Sequence, residues 1–262
     1  ITSSATSGTT TATPPTSWKS LRFRISVTDT LSAVSDYTIS NTVKKNIPPL
    51  PVLIEAPKAG GVIYNTTPRL LIETQAEPDG LPQTIFVTAT DGNTYNSKDN
   101  PGMFSTSGSS ATAVKTVFTN PQTAPGIYSV SVLCKDEISS GTAVSRSFTI
   151  AEPDFETITA NETHVKARHI TDLRTAVNNV RDYFNLPAYS WGYEIIPGRT
   201  NAAYWVYHII ELRAAIQGVV DKINMYDTSA GARIPEISWL PLGTGRPRAD
   251  VMEQLKTVIL GL

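Results

Sequence analysis

Residues 206–216 read VYHIIELRAAI, and two further stretches near the C-terminal end of the chain match this one. Residues 166–177 read KARHITDLRTAV, and residues 248–259 read RADVMEQLKTVI. When the three are aligned on their shared leucine, the copies lie 39 and 43 residues apart. Repetition at this spacing is typical of one supersecondary unit that is used several times to build a common core. We therefore expect the repeated residues to serve packing rather than a single catalytic event.

Each copy has the periodicity of an amphipathic helix. Apolar residues recur at steps of three and four, as Ile209, Leu212 and Ile216 do in the second copy. A stripe of this period packs against other helices. The sequence therefore predicts a small three-helix bundle. Its helices are expected near residues 165–184, 204–223 and 247–262.

A second block accompanies the first two copies, LPAYSW at 186–191 and IPEISW at 234–239. We expect Trp191 and Trp239 to pack their rings over the bundle, because a large aromatic at a fixed place in a repeat is typical of packing. The alternative is that these rings and Trp205 stack on sugars. Buried rings favour the structural role, and a coplanar exposed row favours glycan binding.

Two His–acid pairs are the candidates for chemistry, His169 with Asp172 and His208 with Glu211. Residues three apart share a helix face, and this arrangement can orient a general base or begin a metal site. The other interpretation is a local hydrogen bond in the first turn of each helix. We favour the second, because no nucleophile or third ligand stands at a fixed offset and the third copy lacks the pair. The sequence thus predicts no catalytic residue, no metal ligand and no cofactor.

A cation follows the shared leucine in every copy, and it is Arg174, Arg213 or Lys256. These side chains are expected to pair with an acid on a neighbouring helix or on a partner chain. A solvated, locally paired position is the default for such charges.

The composition excludes several classes of function. The net charge is −1 and no run of Lys or Arg occurs, which argues against a nucleic-acid groove. No apolar stretch approaches the ~20 residues of a membrane span, so no membrane insertion is expected. The single cysteine, Cys134, is expected to be a buried small hydrophobe. Because the chain opens at Ile1, we interpret it as the C-terminal part of a longer polypeptide.

The first half of the chain is rich in Thr, Ser, Val and Pro and alternates with period two. Residues 21–29 read LRFRISVTD and residues 127–136 read IYSVSVLCKD, a pattern that predicts strands with one buried face. Each is followed by Ala-Val-Ser, and the two copies of that triplet are 110 residues apart, the size of an immunoglobulin-type sandwich. Further strands are predicted at 51–56, 69–74, 84–89, 113–119 and 145–150.

These patterns predict a multidomain protein, all-β and then all-α. Residues 1–47 are interpreted as the C-terminal part of a first Ig-like domain, residues 48–152 as a complete Ig-like sandwich, and residues 153–262 as a helical repeat domain. A stiff proline-rich linker separates the first two.

Residues 18–150 resemble tandem fibronectin type III or bacterial Ig-like domains, on the strand ending in Thr-Asp, the Ala-Val-Ser triplet, NTVKKN at 41–46 and the proline pair that follows. The HxxELRxAI pattern of 165–262 resembles a repeat at the ends of Gram-positive phage structural proteins and bacterial surface proteins. The resemblance implies a virion or extracellular setting and no known chemistry.

The leading hypothesis is a non-enzymatic structural and adhesion protein of a phage tail, baseplate, fibre or similar surface assembly. Its partners would be other subunits of an oligomeric assembly, with no nucleic acid. The alternative is a carbohydrate- or cell-wall-binding module of a secreted bacterial protein. Hydrolysis by the His–acid pairs would require His169 and His208 to meet in one cleft.

Overall fold

Two units make up the chain, residues 1–47 and residues 48–262. The computed structural model describes the following residues: 20–21, 24–25, 38–39, 43–44, 46–78, 80–107, 113–120, 124–156, 165–196, 202–227, 233–242 and 248–262. In the first unit, β1 (Ser20–Leu21) pairs antiparallel with β4 (Val43–Lys44), and β2 (Arg24–Ile25) pairs with β3 (Thr38–Ile39). Most of the strand predicted at 21–29 lies outside the described residues.

Among its described residues, the second unit begins with nine strands arranged in two sheets. In chain order they are β5 (Leu53–Ala56), β6 (Gly61–Ile63), β7 (Arg69–Glu73), β8 (Thr84–Ala89), β9 (Thr94–Asn96), β10 (Phe104–Ser107), β11 (Lys115–Thr119), β12 (Gly126–Lys135) and β13 (Val144–Ile150). One sheet has the order β10-β11-β7-β5, and the other has the order β6-β13-β12-β8-β9. All pairs are antiparallel except β6 with β13.

Strand β12 shows that apolar residues at every second position become the buried face of a strand. On β12, Val130, Val132 and Cys134 are buried, and their neighbours are exposed or half-buried. The predicted burial of Cys134 is therefore confirmed. Each of the six strands predicted between residues 51 and 150 overlaps an observed strand. Three short strands, β6, β9 and β10, were not predicted, because three or four residues are too few to show a period.

In the described residues after β13, three helices follow, α1 (Ala167–Tyr183), α2 (Ala202–Asn224) and α3 (Ala249–Gly261). Their apolar stripes are buried in one core, which confirms the predicted helices. The end of α1 has a clear local cause. Asn185 adopts a left-handed φ of 54°, and the Leu186 N–H donates to the Arg181 carbonyl at 2.8 Å. This is the Schellman arrangement that satisfies the last carbonyls of a helix.

Helix α1 is joined to the β part through its last turn. Tyr183 is fully buried, and its ring meets Phe148 of β13 edge-on, with the centroids 5.6 Å apart. The Lys58 N–H donates to the Tyr183 carbonyl at 2.9 Å. A Cβ on Gly61 would lie 2.9 Å from the Tyr183 Cα, so only glycine allows this close approach. The strands and the helices therefore share a continuous core.

Polar contacts fasten the other two helices to the strands. On α2, Lys222 Nζ lies 2.6 Å from Glu55 Oε1. Just beyond α2, Ser105 Oγ donates to Asp227 Oδ1 at 2.6 Å. At the end of α3, Asn65 Nδ2 donates to the Gly261 carbonyl at 2.9 Å. All three helices are thus fixed to the same β part.

Candidate functional site

The first polar cluster of the helical part joins α1 to α2 and centres on Arg174. Its Nη2 donates to His208 Nδ1 at 2.8 Å and to Glu211 Oε2 at 2.7 Å. All three side chains are buried, with His208 fully enclosed. The guanidinium carbon lies 4.4 Å from the ring centroid of Trp191, which is a cation–π contact. The cluster is therefore a buried ion pair covered by an aromatic ring.

Glu211 also positions the loop that follows α1. The Gly192 N–H donates to Glu211 Oε1 at 2.5 Å, and Arg174 Nη1 donates to the Tyr193 carbonyl at 2.9 Å. Hydrogen bonds to a charged group are stronger than neutral ones. The two charges thus hold the backbone immediately after Trp191 in place.

A second cluster repeats this geometry between α2 and α3. The Arg213 guanidinium lies 5.0 Å from the Trp239 ring, and its Nη2 donates to the Leu240 carbonyl at 2.7 Å. Gln254 takes the place of Glu211, and its Oε1 accepts the Leu240 N–H at 2.9 Å. A neutral amide replaces the carboxylate here, and Val251 stands where His208 stands in α2.

A third cluster closes the ring from α3 back to α1. Lys256 Nζ lies 5.8 Å from the Phe155 ring and donates to the Glu156 carbonyl at 3.1 Å. On α1, His169 Nε2 lies 2.5 Å from Glu156 Oε2, and Asp172 lines the same small cavity. The segment at 155–156 therefore has the role between α3 and α1 that the Ser-Trp blocks, residues 186–191 and 234–239, have between the other pairs of helices. It places an aromatic ring beside the cation of a repeat helix.

The three clusters give the helical part a cyclic organisation. Each helix supplies a cation to an aromatic ring beside it. The next helix supplies the side chains at the repeat positions of His208 and Glu211, which are polar except for Val251 of α3. The cations are the residues predicted to pair with a neighbouring helix. For Arg174 the expectation of a solvated position is wrong, because its charge is buried against Glu211.

The tryptophans are packed rather than displayed as a row. Trp205 is 5% exposed, and its ring meets His208 edge-on at 6.2 Å. Trp191 and Trp239 are half-buried, and each has a guanidinium near its ring. These positions favour the packing interpretation of the three rings over sugar stacking.

The two histidines have separate partners. His169 Nδ1 accepts the Lys166 N–H at 3.0 Å, a contact that caps α1, while His208 contacts Arg174 of the first cluster. On its own helix, His208 Nδ1 lies 3.9 Å from Glu211 Oε2, which is too far for a hydrogen bond. The predicted tie in the first turn is present for His169, but its partner is the backbone and not Asp172.

Both imidazoles hold the same neutral tautomer. An N–H of Lys166 or Arg174 can only donate, so Nδ1 must accept in each ring and the ring proton lies on Nε2. Burial lowers the pKa of His208, the Arg174 charge lowers it further, and Glu211 partly opposes them. The hydrogen bond from His169 lowers the pKa of the Glu156 carboxyl.

We predict that acid weakens the fold through His208. Because its folded pKa is lowered, the unfolded chain takes up the proton first as the pH falls through about 6.5. This contribution to stability is therefore present above pH 6.5 and is lost below it. Urea unfolding at pH 7.5 and 5.0 measures the loss, which should be smaller in His208→Val, a variant that copies Val251 of the third repeat. Equal losses in both proteins would contradict the prediction.

Sequence reasoning missed five residues of these clusters, Phe155, Glu156, Gly192, Tyr193 and Leu240. Gly192 and Tyr193 directly follow Trp191, so their place next to a repeated block could have identified them as part of the cluster. Phe155 and Glu156 have no repeat pattern around them. Within the part of the chain that the structure describes, no three His, Cys, Asp or Glu side chains are grouped to hold a metal ion. Among the same residues, no helix combines the length and apolar character needed to cross a membrane.

Comparison with known proteins gives structural likenesses only. No family model and no curated protein matches the chain. A multi-modular cell-surface chitinase, ChiW of Paenibacillus sp. str. FPU-7, is similar over 41% of this chain, with 20% identity and a TM-score of 0.27. PorU of Porphyromonas gingivalis is similar over 50%, with 18% identity and a TM-score of 0.29. The chain covers only 9% and 14% of these two proteins.

Fibronectin domains are also among the similar structures. The FN1–FN3 domains of chicken CNTN1 are similar over 55% of this chain and 49% of theirs, with 14% identity and a TM-score of 0.27.

Proposed function

We propose that this chain is a non-enzymatic structural and adhesion component of a phage virion or similar extracellular assembly. Its β part would be an Ig-like, fibronectin III-like sandwich that acts as a stiff spacer, preceded by the last strands of another such domain. The three-helix ring would be the docking element, held by its partners in an oligomeric assembly. Strand alternation, the two sheets of the second unit and the sequence resemblance support the sandwich.

The observation that supports the proposal most is the junction between strands and helices. A spacer positions a docking element only if the two parts do not turn relative to each other. Here Tyr183 is fully buried against Phe148, and Lys222 pairs with Glu55 at 2.6 Å with both side chains 17% exposed. Large apolar contact makes a domain junction rigid, whereas small polar junctions permit motion.

The hydrogen bonds that His169 and His208 make within the chain support a non-enzymatic role. A general base needs a free lone pair within reach of a substrate proton. The Nδ1 lone pairs of His169 and His208 are both occupied by N–H donors of the chain itself. Arg174 and Glu211 are likewise engaged with each other and with the loop after Trp191. The repeated polar residues thus act as internal fasteners.

Distance measurement between spin labels tests the rigid junction. We expect one narrow distribution between labels at Lys98→Cys on the β part and Glu236→Cys beside the helices, both of which are exposed positions. The native Cys134 should stay unlabelled, because burial raises the pKa of its thiol to about 12. A pair at Lys98→Cys and Ser145→Cys, both on the β part, gives the width expected of one rigid body. A much broader distribution for the first pair than for this control would overturn the spacer proposal.

A further inference from the structure

The three helices differ on the face that points away from their shared core. Two positions of the repeat, five and two residues before the shared leucine, are exposed in each helix. The residues there are Arg168 and Thr171 in α1, Tyr207 and Ile210 in α2, and Asp250 and Glu253 in α3. Equivalent places in α1 and α3 are polar, so packing of the ring does not require apolar residues there. The apolar pair on α2 therefore needs another explanation, and exposed apolar groups that cluster often form a binding surface.

Tyr193, from the loop after α1, extends this apolar face. Its ring stacks on Tyr207, with centroids 4.6 Å apart and planes 12° apart. Ile210 lies one turn further along α2. The three side chains are 42%, 45% and 48% exposed for Tyr193, Tyr207 and Ile210, and we call them the tyrosine patch.

Two residues of the first polar cluster, Arg174 and His208, contact Tyr193 of the tyrosine patch. Arg174 Nη1 fixes the Tyr193 carbonyl at 2.9 Å, and the His208 ring meets the Tyr193 ring edge-on, with centroids 6.4 Å apart. The Gly192 N–H is fixed in turn by Glu211. A surface whose side chains are held before binding loses little conformational entropy when a ligand arrives.

The size of the tyrosine patch argues against a second copy of the chain as its occupant. A large aromatic side chain offers about 200 Å², so three side chains that are each less than half exposed offer under ~300 Å². A stable protein interface needs about 800 Å² from each partner. Protein hot spots also lie in enclosed, desolvated pockets, whereas Tyr193 and Tyr207 are 42% and 45% exposed.

A sugar ring matches a patch of this size and chemistry. The face of an aromatic ring carries partial negative charge, and the C–H face of a pyranose carries partial positive charge. The phenol hydroxyl can both donate to and accept from the hydroxyl rim of the sugar. We propose that the tyrosine patch binds a carbohydrate chain by stacking on a pyranose ring. This site goes beyond the proposed spacer role and does not use the tryptophans.

Retention on glycan tests this site. The probes are purified Gram-positive peptidoglycan sacculi in a pull-down, and soluble linear tetrasaccharides of glucose and of N-acetylglucosamine in titration calorimetry. We expect the 262-residue chain to bind at least one probe. Tyr207→Ala should weaken that binding at least tenfold, while Tyr207→Trp should retain it because the stacking face remains. Thr171→Ala, at the equivalent position to Ile210 in α1, should bind like the parent chain.

Several results would overturn the site. These are absence of binding to all three probes, binding that Tyr207→Ala leaves unchanged, or self-association in sedimentation that Tyr207→Ala abolishes. The last result would assign the patch to a second copy. Thermal unfolding of Tyr207→Ala separates loss of the site from loss of the fold, since an exposed side chain is expected to change stability little. The spin-label distances test the spacer role independently of any glycan result.

Discussion

Glu211→Ala is expected to lower the free energy of unfolding by about 3–5 kcal/mol, the usual cost of removing one partner from a buried ion pair. The side chains of Arg174 and Glu211 are only 10% and 11% exposed, and the ionic contact is 2.7 Å long. The substitution removes the carboxylate and leaves the guanidinium buried. It also removes the acceptor of the Gly192 N–H, so the loop after Trp191 loses its anchor.

Glu211→Gln is the matched control for this prediction. Gln254 of the third repeat shows that an amide can accept the equivalent loop N–H, that of Leu240, at 2.9 Å. The control therefore keeps the hydrogen bond and removes only the charge, and its loss of stability should be smaller than that of Glu211→Ala. Urea unfolding at pH 7.5, followed by tryptophan fluorescence, measures both. A loss below about 1 kcal/mol in Glu211→Ala would place this pair with surface ion pairs and contradict the prediction.

Tyr183→Ala is expected to cost about 3–5 kcal/mol, as truncation of other buried aromatic side chains does. The ring is fully buried between Phe148 of the β part and Phe184, whose centroid is 5.0 Å away. Its removal leaves a cavity at the junction of strands and helices. Because residues 48–262 form one compact unit, the loss should appear in both parts of that unit.

Tyr183→Phe separates the ring from its hydroxyl. The hydroxyl donates to the Arg69 carbonyl at 3.1 Å, and one such hydrogen bond contributes about 1 kcal/mol. We therefore expect Tyr183→Phe to lose far less stability than Tyr183→Ala. Far-UV circular dichroism follows strands and helices together, and fluorescence follows mainly the helical part, where three of the four tryptophans lie. If Tyr183→Ala shifted only the fluorescence transition, the junction would not couple the two parts.

The sequence predicted the elements that have a period of their own. The stripes of α1, α2 and α3 each extend over three turns or more, and local spacing is enough to identify such a helix. Strand β12 alternates over ten residues and was equally clear. Strands of three or four residues such as β6 have no visible period. They form because a long neighbour, β13 in this case, offers an unpaired edge.

The candidate residues were predictable as a set, but their contacts were not. Arg174, His208 and Trp191 stood out because they recur at fixed places in a repeat. Their mutual distances depend on how α1 packs on α2. The pairing of His169 with Glu156 instead of Asp172 depends on the path of the segment before α1.

By itself, the sequence determined that this chain has alternating strands followed by three copies of an amphipathic helix, since both patterns depend on neighbours within a few residues. Only the tertiary structure decided that the copies close into a ring through Phe155 and that α1 joins the β part through Tyr183. It alone placed Tyr193 on Tyr207. The physical reason is that each of these contacts joins distant segments or different elements, and their geometry exists only after the apolar stripes have packed together.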